Sequence, residues 1–273
     1  MMKIDLSTPQ VMGILNVTPD SHSDGGRYIL PAAALQHAEQ MIKEGATIID
    51  VGGESTRPGA QAVSVQEELD RVIPVIELLH QNLPVVLSID TRHAAVMKAA
   101  ISAGTSFIND VYALQDEGAL EIVAAANVSV CLMHMKGEPA TMQVQPHYED
   151  VVSEVKLFLQ QRVQACLAMG IARENIIVDP GFGFGKTAQH NLILLKHLKE
   201  LTHFDGVGDV PVLACLSRKV MFKVLLDLAV NDRLAPSIAL AAIAVMNGAS
   251  IIRAHDVKAT VEAVRISSLL MKV

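Results

Sequence analysis

The polar residues with the clearest chemical potential each follow a short apolar run of the sequence. Carboxylate and amide side chains such as Asp90, Asn109 and Asp179 match the donor and acceptor edges of a flat heterocycle. Guanidinium groups such as Arg57 and Arg253 bind phosphate or carboxylate oxygens in bidentate fashion. Together they indicate a ligand with a heterocyclic part and an anionic part. The polar residues at the ends of the eight runs are Asn16, Glu54, Ser55, Thr56, Arg57, Asp90, Asn109, Asp110, His134, Asp179, Ser217, Arg218, Lys219, Arg253, His255 and Asp256.

Each of these residues also has an ordinary structural explanation. Asp90 precedes a predicted helix and could cap it, and His134 could be a hydrogen-bonded core histidine. Asp110 and Asp256 could accept from loop amides, and the arginines could pair with Asp110, Asp256 and Glu54. Because all eight runs end in polar groups, we favour a shared site over eight separate coincidences.

The elements that must position these residues alternate along the chain. Apolar runs typical of strands buried on both faces are separated by segments with the periodicity of amphipathic helices. Eight such pairs predict one (β/α)8 TIM barrel, of fold class α/β, over residues 1–273, rather than an open doubly wound sheet. In such barrels the carboxyl ends of the strands carry the site. The eight runs are 11–17, 47–53, 84–90, 106–111, 128–135, 175–181, 211–217 and 250–256.

The overall composition excludes several classes of partner. The 22 basic and 29 acidic residues give a net charge of -7, which argues against a nucleic-acid surface. No segment reaches the roughly 20 apolar residues of a membrane span, and the start MMKIDLSTPQ lacks the apolar core of a signal peptide. Three widely spaced cysteines are typical of a reducing compartment. We therefore expect a cytoplasmic protein that binds neither nucleic acid nor membrane.

Three common motifs are absent or incomplete. The stretch GFGFGKT (181–187) lacks a complete P-loop, because that motif needs glycine where Pro180 stands. It also lacks the third glycine of a dinucleotide fingerprint, at Lys186. No Cys/His cluster has zinc spacing, and no serine lies in a G-x-S-x-G elbow. The glycines of this stretch instead predict a tightly turned or flexible loop after the sixth strand.

A series of motifs spans residues 16 to 257. The motifs read NVTPDSHSDGG, DVGGESTRPGA, SIDT, INDV, MHMKGEPATMQ, DPGFGFGKT, LSRK and RAHDV. In this order they resemble the dihydropteroate synthase family of pterin-binding barrels. The resemblance implies an enzyme that joins p-aminobenzoate to 6-hydroxymethyl-7,8-dihydropterin diphosphate and releases diphosphate with the help of Mg²⁺. It also implies a homodimer and long mobile loops after strands 1 and 2.

The same resemblance assigns roles to individual residues. The catalytic groups would be Asp90, Asp179 and Lys219, with Asp179 stabilising positive charge on the pterin ring. The residues implied to hold the pterin are Asp90, Asn109, Met133, Asp179 and Lys219. Those implied to hold the diphosphate are Asn16, Thr56, Arg253 and His255, of which Asn16 would also bind the metal. Those implied to hold p-aminobenzoate are His22, Arg57, Pro58, Phe184 and Ser217.

The sequence departs from the family pattern at two positions. His22 stands where the first loop ordinarily has Phe, and Cys215 stands where Gly ordinarily precedes the LSRK motif. His22 can titrate near neutral pH, and Cys215 adds bulk beside the expected pterin. Two other functions stay open at this point. A pterin- or folate-dependent methyltransferase would have less use for the diphosphate groups, and a non-catalytic pterin-binding paralogue would have lost some of them.

Overall fold

Eight parallel strands form a closed barrel in the computed structural model, which describes residues 4–18, 31–54, 63–139 and 141–273. The predicted TIM barrel is thereby confirmed. Its strands, which neighbour each other in chain order around the ring, are β1 (Gln10–Asn16), β2 (Ile48–Gly52), β3 (Val86–Asp90), β4 (Phe107–Asp110), β5 (Ser129–Met133), β6 (Ile176–Asp179), β9 (Val212–Ala214) and β10 (Ala249–Ala254).

A short antiparallel ribbon precedes β9 and was not predicted from the sequence. It consists of β7 (His203–Phe204) and β8 (Gly208–Asp209), and it lies outside the barrel sheet. Two-residue strands are too short to produce a recognisable alternation of apolar and polar residues. The predicted mobile loops after strands 1 and 2 fall mainly on residues 19–30 and 55–62, which lie outside the described residues.

Nine α-helices lie within the described ranges and surround the barrel. One helix follows each barrel strand except β9, which is followed by two, so the sequence prediction of about eight helices was nearly complete. The helices are α1 (Pro31–Lys43), α2 (Val65–Asn82), α3 (Ala94–Ser102), α4 (Ala119–Ala126), α5 (Val151–Ala168), α6 (Ala188–Lys196), α7 (Met221–Leu226), α8 (Leu234–Met246) and α9 (Val257–Leu270). In the part of the chain that the structure describes, no helix is long and apolar enough to cross a membrane.

Side chains of each strand alternate between the barrel interior and the layer under the helices. On β1, Met12 and Ile14 belong to the interior cluster, whereas Val11 and Leu15 belong to the core between strands and helices. Full burial of side chains of this size stabilises the fold by about 1.5–3 kcal/mol each. The interior cluster comprises Met12, Ile14, Ile48, Val86, Phe107, Cys131, Ile177, Leu213, Cys215 and Ile251.

The interior changes from apolar to polar along the strand direction. On β2 the inward-facing register runs from Ile48 to Asp50, and on β6 it runs from Ile177 to Asp179. On β10 it runs from Ile251 to Arg253. Since a strand residue and its second neighbour share a face, the carboxyl-terminal half of the barrel collects these polar side chains in one place.

Candidate active site

The carboxyl ends of the strands enclose a cavity at the mouth of the barrel. In the strand register Asp90 pairs with Asn109, and Met133 pairs with Asp179, so these side chains lie around one rim. All five residues that were predicted to hold the pterin line this cavity. Its lining consists of Asp90, Asn109, Val111, Met133, Asp179, Phe182, Phe184, Cys215, Lys219 and Arg253.

Asp50 is a fully buried carboxylate below this rim, and sequence reasoning missed it. It accepts hydrogen bonds from Ser88 Oγ, from Asn109 Nδ2 at 3.0 Å and from Arg253 Nε at 2.6 Å. Asp50 thereby fixes two residues of the cavity wall at once. The signal that could have revealed it is its position two residues after Ile48 in an otherwise apolar strand, because that spacing gives both residues the same face.

Arg253 reaches across the barrel interior and pairs with two carboxylates. Its Nη2 donates to Asp90 Oδ2 at 2.6 Å, while Nε donates to Asp50. Burial disfavours a charged guanidinium, but Asp50 and Asp90 outweigh it and raise the pKa of Arg253. Burial also raises the pKa of Asp90, which Arg253 opposes. Arg253, which was predicted to bind the diphosphate, is therefore an inward-facing cation whose charge is balanced by Asp50 and Asp90.

Asp90 retains one buried acceptor that the protein does not use. Its Oδ1 has no hydrogen-bond partner among the described residues, although Oδ2 is bonded to Arg253. An unsatisfied buried oxygen is costly, and a ligand with an N–H or amino group would remove that cost. Because Asp90 lines the cavity, a bound ligand could donate to this oxygen.

Asp179 is the second carboxylate of the rim and is 4% exposed. The backbone N–H of Gly181 donates to Asp179 Oδ1 at 2.7 Å. Burial raises the pKa of Asp179, and the Gly181 amide and the Lys219 ammonium oppose that rise. This carboxylate is therefore oriented by the backbone, and the Lys219 ammonium near it favours its charged form.

Lys219 and Phe184 contact each other at the wall of the cavity. Lys219 Nζ lies 4.6 Å from the centroid of the Phe184 ring, within the range of a cation–π interaction. The preceding Arg218 has φ 53° and forms two hydrogen bonds with Asp256, at 2.9 and 2.6 Å. The Arg218–Asp256 pair thus anchors the LSRK segment to the start of α9.

The segment 181–186, here called the glycine turn, connects β6 to α6 and carries Phe184. Gly181 and Gly185 have φ +68° and +64°, and a side-chain carbon at either would overlap the carbonyl oxygen of His134 or Lys136. Glycine is required there because the left-handed conformation and the close approach both exclude a side chain. The expected turn after the sixth strand is thus a tight one.

Comparison with known proteins identifies the family of this barrel. The pterin binding enzyme family model matches residues 12–255. The chain is 52% identical to dihydropteroate synthase of Escherichia coli (strain K12) over 263 residues, which cover 96% of this chain and 92% of that protein. The chain belongs to the dihydropteroate synthase family.

Solved structures agree with this assignment. Yersinia pestis dihydropteroate synthase, crystallised as a sulfonamide drug complex, matches with a TM-score of 0.94 and 52% identity, covering 100% of this chain and 98% of that one. Xanthomonas albilineans dihydropteroate synthase with 4-aminobenzoic acid matches with a TM-score of 0.91 and 48% identity, covering 98% and 95%. The expectation of a transferase of the dihydropteroate synthase type is confirmed.

The remaining predicted residues of the dihydropteroate synthase site divide into two groups. Asn16 is the last residue of β1. Its Oδ1 lies 3.5 Å from the position that a β-carbon on Gly52, at the end of β2, would occupy. Ser217 Oγ accepts from the backbone N–H of His255 at 3.2 Å, which ties the ends of two neighbouring strands together. The other predicted residues, which lie outside the described residues, are His22, Thr56, Arg57 and Pro58.

The structure decides several of the structural alternatives weighed from the sequence. Asp110 does accept from loop amides, those of Tyr112 at 2.7 Å and Leu114 at 2.6 Å. Asp90 does not cap a helix, because α3 begins at Ala94 and follows His93. The suggested pairing of an arginine with Asp256 occurs at Arg218. Arg253 instead binds Asp50 and Asp90, neither of which was suggested as an arginine partner.

His134 is the buried core histidine that was weighed as an alternative, and its partner is Lys186. The ring is 5% exposed and stacks edge-on against Phe158 at 5.0 Å. Burial and the nearby Lys186 lower the pKa of His134 to about 2, so the ring is neutral and its Nδ1 accepts from Lys186 Nζ at 2.9 Å. Sequence reasoning had treated Lys186 only as part of an incomplete motif.

Cys215, the departure from the family pattern that directly follows β9, lines the cavity and is 8% exposed. Its Sγ lies 3.8 Å from Arg253 Nη1. The thiol occupies space at the edge of the cavity without displacing the Arg253 pairs. The added bulk is therefore accommodated at the wall.

One group of described residues has the composition of a cation site. The ligand atoms of Glu54, Glu68 and His93 lie within 4.8 Å of one another. Burial raises the pKa of Glu68 to about 7, and Arg92 Nε lies 3.4 Å from Glu54. Asn16, the residue predicted to bind Mg²⁺, lies at the end of β1.

Proposed function

We propose that the chain joins p-aminobenzoate to 6-hydroxymethyl-7,8-dihydropterin diphosphate, forming 7,8-dihydropteroate and diphosphate. The observation that carries this proposal is the convergence of Asp90, Asn109, Asp179 and Lys219 on one cavity beside Arg253. These side chains present acceptors and donors suited to a pterin edge. The membership in the dihydropteroate synthase family supports the same reaction.

The carboxylates and the amide would hold the pterin by its edge. Asp90 Oδ1, the buried acceptor without a partner in the described part of the chain, would accept from an amino group or ring N–H. Asn109 is held by Asp50 through Nδ2, which leaves its carbonyl oxygen for the ligand. Met133 would supply an apolar, polarizable contact to the flat ring. The pterin would thus be oriented on groups whose own positions are already fixed.

Catalysis would be mainly electrostatic. When the bond between the pterin methylene carbon and the diphosphate oxygen breaks, both bonding electrons leave with diphosphate and a resonance-stabilised methylene cation remains. Asp179 would stabilise the positive charge, and Lys219 would donate a hydrogen bond to the ring. The nitrogen lone pair of p-aminobenzoate then forms the new C–N bond, and the amine proton passes to solvent or released diphosphate. The step is SN1-like and needs no strong base.

A magnesium ion would fit at the end of β1. A side-chain carbon on Gly52 would lie 3.5 Å from Asn16 Oδ1 and 3.7 Å from Asp90 Cβ, so Gly52 leaves room between two oxygen-bearing groups. Carbonyl and carboxylate oxygens are the donors that Mg²⁺ prefers, and substrate phosphates commonly supply further ligands. When bound, Mg²⁺ would neutralise charge on the leaving diphosphate. Arg253, His255 and Thr56 would bind the remaining diphosphate oxygens.

The p-aminobenzoate pocket would be built around Phe184. Its ring lines the cavity and contacts Lys219, while Ser217 lies at the start of the same LSRK segment. Three further residues of the pocket, His22, Arg57 and Pro58, would come from the first two loops. The arylamine would then lie on the outer side of the pterin, where it can attack the methylene carbon.

The test of this function is diphosphate release from the pterin diphosphate, followed with and without p-aminobenzoate and Mg²⁺. We expect release that depends on both, with 7,8-dihydropteroate formed in equal amount. Diphosphate release without an amine-dependent product would contradict the proposal. A methyltransferase-like activity or non-catalytic pterin binding would give no release in either case.

The chain would act as a homodimer in the cytoplasm. Apolar side chains on the outer surface of the adjacent helices α8 and α9 are more than 40% exposed, which is typical of a contact surface. They are Leu234, Ile243, Met246, Ile266, Leu269 and Leu270. Light scattering should give twice the chain mass, and replacing Leu269 by Glu should return it to the chain mass. The three cysteines are unpaired and buried, in keeping with a reducing compartment.

A further inference from the structure

The glycine turn is held by a buried lysine that the reaction itself does not use. Lys186 is 2% exposed, and its Nζ lies 3.0 Å from the carbonyl oxygens of both Gly181 and Phe184. On the β5 side Nζ lies 2.9 Å from His134 Nδ1 and 3.3 Å from the His134 carbonyl oxygen. One buried amino group therefore ties Gly181 and Phe184 of the turn to the neighbouring strand β5.

Other side chains hold the turn at Gly183 and Gly185 but not at the Phe184 carbonyl: Gln143 Nε2 donates to the Gly183 carbonyl, and the Tyr148 hydroxyl donates to the Gly185 carbonyl at 3.0 Å. Phe184 N–H donates to the Gly181 carbonyl at 3.1 Å, and Asn191 Oδ1 accepts from Gly183 N–H at 2.8 Å. The Phe184 carbonyl is bonded to Lys186 alone among the hydrogen bonds described for it. The same residue carries the ring that contacts Lys219. By binding the Phe184 carbonyl, Lys186 therefore fixes the backbone orientation from which the Phe184 ring extends.

We propose that Lys186 is a positioning residue for the p-aminobenzoate half of the site, acting through the glycine turn on the Phe184 ring. This inference rests on the proposed function. Asp179 is held by β6 and the Gly181 amide, whereas Phe184 lies in the turn itself. Loss of Lys186 should therefore displace Phe184, which would contact p-aminobenzoate, more than Asp179, which would contact the pterin. On the β5 side the shorter contact of Lys186 Nζ is to His134 Nδ1, so we expect this acceptor to hold the lysine.

The kinetic test compares four variants. In Lys186→Met and His134→Leu, we expect KM for p-aminobenzoate to rise on the order of tenfold, with KM for the pterin diphosphate changed less than about twofold. His134→Asn keeps an acceptor near the Nδ1 position and should retain most of the wild-type KM. Lys136→Met is the matched control, because it removes an ammonium that bonds Glu154 and the His147 carbonyl near the same turn. Equal changes in both KM values, or the same change in Lys136→Met, would overturn the proposal.

A second measurement follows the ring without catalysis. The chain has six phenylalanines, so fluorophenylalanine labelling gives few ¹⁹F signals, and Phe184→Leu identifies that of Phe184. We expect this signal to shift and broaden in Lys186→Met and His134→Leu but not in His134→Asn or Lys136→Met. An unchanged Phe184 signal would overturn the positioning role even if wild-type protein made no product. Failure of the proposed function alone would leave the ¹⁹F result intact. If Lys186→Met does not fold, the two His134 variants decide.

Discussion

Arg253 Nη2 donates to Asp90 Oδ2 at 2.6 Å and so links the last barrel strand to the third across the interior. The same guanidinium holds Asp50, which is fully buried. Replacing Arg253 by Met would leave two buried carboxylates without their cation. We expect the free energy of unfolding to fall by about 3–5 kcal/mol in urea denaturation, the usual cost of breaking a buried pair by removing one partner.

The control for this prediction is the Arg218–Asp256 pair, which is more exposed. Arg218 and Asp256 have side chains that are 36% and 20% exposed, so solvent already screens their attraction. Arg218→Met should cost about 0–1 kcal/mol. If both variants lost the same stability, the interior pair would be no stronger than a surface pair, and the role given to Asp50 and Asp90 would be wrong.

Asp50 should affect pterin binding although it does not line the cavity. Asp50→Asn removes the negative charge that pairs with Arg253 Nε, and the neutral amide holds Arg253 and Asn109 more weakly than the carboxylate does. We expect KM for the pterin diphosphate to rise on the order of tenfold, with KM for p-aminobenzoate little changed. Steady-state kinetics with each substrate varied in turn measures this.

Ser88→Ala offers the comparison for Asp50. It removes a donor to Asp50 Oδ1 but leaves both contacts of Oδ2 in place. Its KM values should therefore stay close to wild type, with a stability loss of about 1 kcal/mol. A Ser88→Ala variant with the same kinetic defect as Asp50→Asn would indicate general distortion of the barrel interior.

The sequence was sufficient for the fold and for the rim of the cavity, because both depend on local patterns. Apolar runs with a polar residue at the carboxyl end predicted the strands and placed Asp90, Asn109 and Asp179 on one rim. The ribbon of β7 and β8 was missed, since two residues produce no period. The second helix after β9 lacked a clear boundary from the first. Element type was thus easier to predict than element number.

Pairings inside the barrel could not be predicted in the same way. Arg253 and Asp50 are 203 residues apart in the chain, and only the closure of the barrel brings them within 2.6 Å. Lys186 and His134 are 52 residues apart, and their contact depends on the shape of a turn that glycine alone allows. Residue types and their spacing in the sequence can indicate which charged residues belong to a site. Which of these buried charges pair with each other depends on their distances in the folded protein.

Asp179→Asn should separate turnover from arylamine binding. The amide oxygen can still accept from the Gly181 N–H, so the turn keeps its position. The negative charge that would stabilise the pterin cation is lost, and we expect kcat to fall on the order of 100-fold, with KM for p-aminobenzoate within about twofold of wild type. Asp110→Asn, which alters a buried carboxylate bonded only to loop amides among the described residues, is the control. Unchanged turnover in Asp179→Asn would contradict the catalytic role.

Lys186 should make the stability of the chain depend on pH above neutrality. Burial lowers the pKa of Lys186 to about 7, against 10.5 for an ordinary lysine. Asp179 opposes this shift, while Lys219 and Lys136 add to it. Between these values the unfolded chain binds a proton that the native chain has released, so the contribution of this group to the free energy of unfolding rises with pH.

The measurable quantity is the difference between wild type and Lys186→Met in the free energy of unfolding, taken from pH 6 to about pH 9. Below pH 7 both states of the wild type carry the proton, and the difference should be constant. From pH 7 upward it should change in favour of the wild type by up to about 1.4 kcal/mol per pH unit. Lys136→Met, which removes only one of the two neighbouring ammonium groups that add to the Lys186 shift, should show a much smaller slope. A flat difference across the range would mean that Lys186 keeps its proton in the native barrel and binds His134 as a permanent cation.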